Sequence, residues 1–137
     1  IRTREVTAAA SRVAAQAEVR RQMVALQREM GKDGGVVLDG RDIGTAVFPQ
    51  AEVKFYLDAD PARRALRRHA ELLASGNASD PAAIEREIRE RDGADSTRAD
   101  SPLIRAPDAI LLDTTLLGPG EVVERMLAAV EGRAAKA

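Results

Sequence analysis

Residues 36–57 read VVLDGRDIGTAVFPQAEVKFYL, and the fold turns on them. Val36-Val37-Leu38 is a short apolar run of β-branched type, which fits a buried strand. Asp39-Gly40-Arg41-Asp42 closes that strand. Val53 to Leu57, with Phe55 and Tyr56, predicts a second strand. Two carboxylates therefore flank an arginine just past a strand end, where ligands sit in open α/β sheets. Gly40 and Gly44 let the backbone turn and approach a ligand closely. From these residues alone two readings stand: a binding loop, or a plain turn with an Asp–Arg surface pair.

Working outward, residues Glu5 to Met30 are rich in Ala, Val, Gln and Arg with apolar positions at helical spacing, predicting one or two helices. Gly31 and Gly34-Gly35 end that run. On the other side, Asp60-Pro61 pairs an N-cap residue with proline at the first helical position. A helix is expected from there to about Ser75, where Gly76-Asn77 stops it. Asp80-Pro81 repeats the signal and predicts a helix to about Arg91. Ala109 to Leu112 is a third strand. After Gly118-Pro119-Gly120, a terminal amphipathic helix is expected over Glu121 to about Gly132. Strands alternating with helices imply an α/β fold, a parallel sheet flanked by helices. Asp39, Asp58 and Asp113 then fall at strand ends.

Composition narrows the functions. The 137 residues are one domain's worth of chain or part of one, 45% apolar and 31% charged. No apolar run approaches the roughly 18 residues of a membrane span, and no charged leader with an apolar core stands at the front. Cysteine is absent, which excludes a disulfide framework and thiolate metal sites, and the single histidine, His69, argues against zinc. A net charge of −1 argues against a general nucleic-acid surface. The basic residues are 18 arginines and 3 lysines. Arginine is the residue that grips phosphate and carboxylate with a two-pronged fork, although a composition bias explains the excess equally well.

Two further clusters supply arginine and aspartate. Arg63, Arg64, Arg67 and Arg68 follow Pro61, and helical spacing puts Arg64, Arg67 and Arg68 on neighbouring turns of one face. A phosphate-bearing anion satisfies such a row; so does a solvated face paired with acids such as Glu71. Arg91, Asp95 and Arg98 recur at four and three residues, presenting either a site for a hydroxyl-bearing polar ligand or a salt-bridge ladder. No nucleophile is paired with a base. The set suits positioning of an anionic ligand, and phosphoryl transfer requires little more than positioning and charge neutralisation.

DGRDIGTAVFP (39–49), the Asp-Pro start of an arginine-rich helix, RERDGADSTRADSPL (89–103) and APDAILLDTT (106–115) together resemble the bacterial cytidylate kinases, in order and spacing, from about Glu5 to about Leu127. The resemblance implies the fold of P-loop nucleoside monophosphate kinases. A monophosphate-binding insert and connecting helix would occupy 1–33, core strands and the CMP site 34–60, a helical lid 61–98 and a C-terminal core 99–137. It implies transfer of the γ-phosphoryl group of ATP to CMP or dCMP with Mg²⁺, in a cytoplasmic monomer with small-molecule partners and no nucleic acid or membrane.

Residue by residue, Ser11, Asp42 and Arg98 resemble the cytosine-recognition set. Arg20 and Arg41 resemble the arginines around the base and α-phosphate, and Arg91 and Asp95 the pair that reads the sugar hydroxyls. Arg64, Arg67 and Arg68 resemble lid arginines that reach the transferring phosphates; with Arg41 they form the expected catalytic set. Asp39 matches an acidic position beside the monophosphate. A carboxylate at Asp42 accepts a hydrogen bond from the cytosine amine, whereas uracil would face it with a carbonyl.

One departure is large. The family's glycine-rich loop ending in Gly-Lys and a hydroxyl residue does not occur in these residues; Lys32 follows Gly31 but leads to Asp33. The resemblance implies that this loop, the first strand and the start of the insert precede Ile1, so that the chain corresponds to the carboxyl-terminal three fifths of such an enzyme. The loop would hold most of the contacts to ATP and Mg²⁺, and the chain by itself is expected to be inactive. The alternatives at this point are a non-catalytic nucleotide-binding domain, or a kinase for another nucleoside monophosphate such as UMP.

Overall fold

The computed structural model of the chain describes residues 4–134. Two helices come first, α1 (Arg4–Ala14) and α2 (Ala17–Met30). They are followed by an irregular stretch and a π-helical turn over Ile43–Val47, in which the Val47 and Phe48 amides donate to the Asp42 and Ile43 carbonyls. Then come β1 (Phe55–Asp58), α3 (Pro61–Ala74), α4 (Pro81–Thr97), β2 (Ile110–Asp113) and α5 (Pro119–Ala134).

The sheet is small. β1 and β2 lie parallel with Phe55 opposite Ile110 and Asp58 opposite Asp113. Thr114 extends the pairing, its amide and hydroxyl both donating to the Asp58 carbonyl at 2.7 and 3.0 Å. The connection between the strands carries the α3–α4 pair, whose helices pack on each other. Both begin as their Asp-Pro signals predict. Asp60 accepts from the Ala62 and Arg63 amides at 2.9 and 3.2 Å, and Asp80 from the Ala82 and Ala83 amides at 3.1 Å, satisfying donors that a helix start leaves open. His69 Nδ1 lies 2.7 Å from Ser79 Oγ, tying α3 to the segment before α4.

Among the described residues the core is thin and built of small side chains. Val47, Ala59, Ala65, Ile84, Ala106 and Ala109 are buried. α2 docks on the π-helical turn. Its end lies so close to Phe48 that a Cβ on Gly31 would stand 2.6 Å from the ring. Arg28 adds two bonds, to the Val47 and Ala46 carbonyls at 3.0 and 2.6 Å.

Two expectations are corrected. Val36-Val37-Leu38 is not a strand, and Val37 is 97% exposed. A strand is held by a neighbour's N–H and C=O groups, and among the described residues β1 pairs only with β2. Asp39 therefore does not close a strand. The helix from Pro81 also runs past Arg91 to Thr97. Gly93 does not stop it, and the last turn is reinforced where Ser96 and Thr97 hydroxyls donate to the Asp92 and Gly93 carbonyls at 2.7 and 2.8 Å. The other boundaries fall within a few residues of the predicted ones. No helix among the described residues is long and apolar enough to cross a membrane.

Candidate functional site

The added turn of α4 places Asp95 where α4, the chain that follows it and the loop of Arg41 meet. Its carboxylate is buried, and three arginines surround it. Arg98 Nη1 stands 3.2 Å from Oδ1, and Arg41 Nε and Arg91 Nε lie 3.4 and 3.8 Å from Oδ2. After α4 the chain folds back on the same residue. The Leu103 amide donates to the Asp95 carbonyl at 2.8 Å, and Arg98 Nε donates to the Ser101 carbonyl at 2.6 Å. Ser101 takes φ 51°, the left-handed backbone that a non-glycine residue adopts only under constraint. One turn earlier, Asp92 takes Arg41 Nη1 at 3.4 Å on Oδ1 and Arg64 Nη2 on Oδ2. Beside them Arg20, from α2, pairs with Asp42, the residue before the π-helical turn.

Arginine is crowded in this cluster. Arg20, Arg41, Arg64, Arg91 and Arg98 share Asp42, Asp92 and Asp95 as ion-pair partners, and Asp58 and Asp60 add negative charge near Arg64. Burial pushes the Arg98 guanidinium below its ordinary range, and the positive charge of Arg20 adds to this. Burial opposes ionisation of Asp92, but the hydrogen bond from Arg64 and the charge of Arg41 outweigh it and hold the carboxyl below the usual range. The same hydrogen bond to Asp92 raises Arg64. Three buried atoms make no hydrogen bond: Arg20 Nε, Asp95 Oδ2 and Arg98 Nη2. Leaving such groups unmet costs about 1–3 kcal/mol each, more when charged. An anion with hydroxyl or amine groups suits both the crowded guanidinium groups and the donors and acceptor without hydrogen bonds. A cavity of about 250 Å³ opens beside Arg20, lined also by Arg21, Arg28, Ala46, Asp100 and Ser101.

A family model described as cytidylate kinase matches residues 1–132. The chain belongs to the cytidylate kinase family. The cytidylate kinase of Syntrophotalea carbinolica is 52% identical over 133 residues, which cover 97% of this chain and 57% of that protein. That of Geobacillus sp. (strain WCH70) is 53% identical over 133 residues, 97% and 59% of the two chains. That of Streptococcus pneumoniae (strain Hungary19A-6) is 50% identical, covering 97% and 60%. The chain thus spans 57–60% of the length of these curated relatives.

Against the set that the resemblance to cytidylate kinases implied, Arg20, Arg41, Asp42, Arg91, Asp95 and Arg98 come together in one cluster, and Arg64 joins them through Asp92. Three residues stand outside it. Arg67 Nη2 binds the Thr114 carbonyl, with Thr115 and Leu117 carbonyls at 3.4 and 3.3 Å, on the loop after β2. Arg68 pairs with Glu71 at 3.0 Å. Asp39 is exposed. Ser11 lies in α1 and its side chain is outside the described ones.

Two residues of note escaped the sequence reading. Asp92 falls three positions before Asp95, so one helical face carries both; the continuation of α4 through Gly93 is what reveals it. Lys54 is buried with 7% of its side chain exposed. Its ammonium donates to the Pro49 carbonyl at 2.5 Å and to both oxygens of Asp108 at 3.0 and 2.7 Å. Its stem lies against Gly44, where a Cβ would approach it to 3.3 Å. No sequence spacing announces this pair, which lies 54 residues apart.

Proposed function

We propose that these residues form part of an enzyme that transfers the γ-phosphoryl group of ATP to CMP or dCMP, giving ADP and the nucleoside diphosphate. The observation that carries this is the gathering of five guanidinium groups on three shared carboxylates, beside buried polar atoms that make no hydrogen bond. A nucleoside monophosphate brings a phosphate of nearly two negative charges, sugar hydroxyls and a base amine.

In this reading Arg41 and Arg20 take the α-phosphate, and Arg91 with Asp95 takes the sugar hydroxyls. Asp42, with Ser11 and Arg98, reads cytosine. Asp42 favours the cytosine amine, since a uracil carbonyl would leave two acceptors facing each other at a cost of about 1–3 kcal/mol. The attacking atom is a phosphate oxygen of CMP; it displaces ADP from the γ-phosphorus, and no protein nucleophile takes part. Arg64, with Arg67 and Arg68, neutralises the transferring phosphates from a lid at 61–98, and Asp39 lies near the monophosphate. Residues 1–33 form part of the monophosphate-binding insert, 34–60 the CMP side of the core and 99–137 its C-terminal part.

The described residues contain no group of three His, Cys, Asp or Glu side chains placed to hold an ion, and no step here runs through Mg²⁺. No Gly-x-x-x-x-Gly-Lys-[Ser/Thr] stretch occurs in the 137 residues. The reading assigns the ATP-cradling loop to sequence outside them and holds residues 1–137 alone to be inactive. The test is ADP release by the full-length protein with CMP, dCMP, UMP and AMP in parallel. The expected result is a kcat/KM for CMP and dCMP about tenfold or more above that for UMP. Preference for UMP or AMP, or no turnover of any of the four, refutes the reading.

A further inference from the structure

We propose that Asp92 is a positioning residue that holds the guanidinium groups of Arg41 and Arg64 together at the phosphate end of the site. The proposal rests on the assignment of both arginines to phosphate made above. Arg41 comes from the loop before the π-helical turn, Arg64 from the start of α3 and Asp92 from α4, separations of 51 and 28 residues. One carboxylate joins them, taking Arg41 on Oδ1 and Arg64 on Oδ2. Arg64 has a second anchor, Nε donating to the Ala59 carbonyl at 3.1 Å, and Arg41 a second partner in Asp95.

The exposures argue that the arrangement serves something other than the fold. Arg41 and Arg64 leave 34% and 31% of their side chains open, and Asp92 26%. Ion pairs as accessible as these contribute little to stability. What they do contribute is geometry. Two guanidinium groups this close repel each other when nothing negative lies between them. The Asp92 carboxylate removes that repulsion, while 34% and 31% of the two arginine side chains stay accessible to a ligand. A phosphate entering from solvent then meets two cations already in place, and their ordering is not deducted from binding or from the reaction.

The test is steady-state kinetics on the full-length protein carrying Asp92→Asn, Asp92→Glu, Arg64→Ala and the Asn–Ala double change, with melting followed by circular dichroism. Asp92→Asn keeps the shape and removes the charge. Expected is a fall in kcat of about 10- to 100-fold, the scale of a misplaced catalytic group. KM for CMP should move less than kcat, because Asp42, Asp95 and Arg98 still hold base and sugar. Asp92→Glu should recover most of the loss. In the Arg64→Ala background, Asp92→Asn should cost several-fold less than in the original protein, since only Arg41 is left for it to hold. Equal losses in both backgrounds, an unchanged kcat, or loss of folding in both Asp92 variants would overturn the proposal. Absence of CMP turnover by the unaltered protein would instead refute the functional reading on which it rests.

Discussion

Replacing Asp42 by asparagine divides the work of one carboxylate into two measurable parts. Asp42 balances Arg20, and the two side chains are only 12% and 11% exposed. It is also the proposed acceptor for the cytosine amine. The amide keeps an acceptor oxygen but loses the charge and gains a donor. A hydrogen bond to a charged group is worth about 1.5–3 kcal/mol, and every 1.4 kcal/mol is a factor of ten. With the pair so far out of water, kcat/KM for CMP should fall by about 10- to 100-fold.

Arg20 loses its countercharge as well, which alters binding of every monophosphate alike. The ratio of kcat/KM for CMP to that for UMP cancels this common part and isolates recognition of the base. That ratio should drop about tenfold or more, because an amide can rotate to donate to the uracil carbonyl. A coupled ADP-release assay on the full-length protein measures both substrates, and circular dichroism checks that the variant is folded. If the ratio stays within about twofold of the original while CMP turnover falls, Asp42 does not read the base.

Asp60→Ala removes the side chain that accepts from the Ala62 and Arg63 amides; it should lower stability by about 1 kcal/mol, read from denaturant midpoints. Asp108→Asn leaves the buried Lys54 ammonium without its charged partner, so the variant should melt below the original protein at neutral pH. Lys54 holds the Asp108 carboxyl below its ordinary range in the folded state. Its contribution is therefore present above the unfolded value of about 3.9 and lost as pH falls through the lower folded one. The difference in Tm should shrink on acidification below about pH 4, and a difference that grew there would contradict the assignment.

The helices were legible because their signals are local. Asp60-Pro61 and Asp80-Pro81 carry cap and first-turn proline in adjacent residues, and both helices begin there. β1 and β2 followed from short apolar runs ending in Asp58 and Asp113. Val36-Val37-Leu38 has the same composition yet no ladder, since pairing depends on a neighbour that composition does not reveal. At the site, the family resemblance pointed to Arg20, Arg41, Asp42, Arg91, Asp95 and Arg98, which the fold brings into one cluster. Which carboxylate each arginine meets depends on tertiary contacts, so Asp92 passed as one more charge in an alternating helix. The row of Arg64, Arg67 and Arg68 looked continuous on helical spacing. In the fold it divides among Asp92, the carbonyls after β2 and Glu71, because each side chain is drawn to the nearest acceptor.

Arg20 Nε, on α2, lies far in the chain from Asp95 Oδ2 and Arg98 Nη2 at the end of α4, and each is buried without a hydrogen bond. A small molecule that met all three would fasten α2 to the end of α4, much as a cross-link would. Its saturation should then show as a rise in melting temperature of the whole unit. At a hundred times its dissociation constant such a molecule adds about 2.7 kcal/mol to the folded state, so thermal shift alone can rank candidate nucleotides before any turnover is measured.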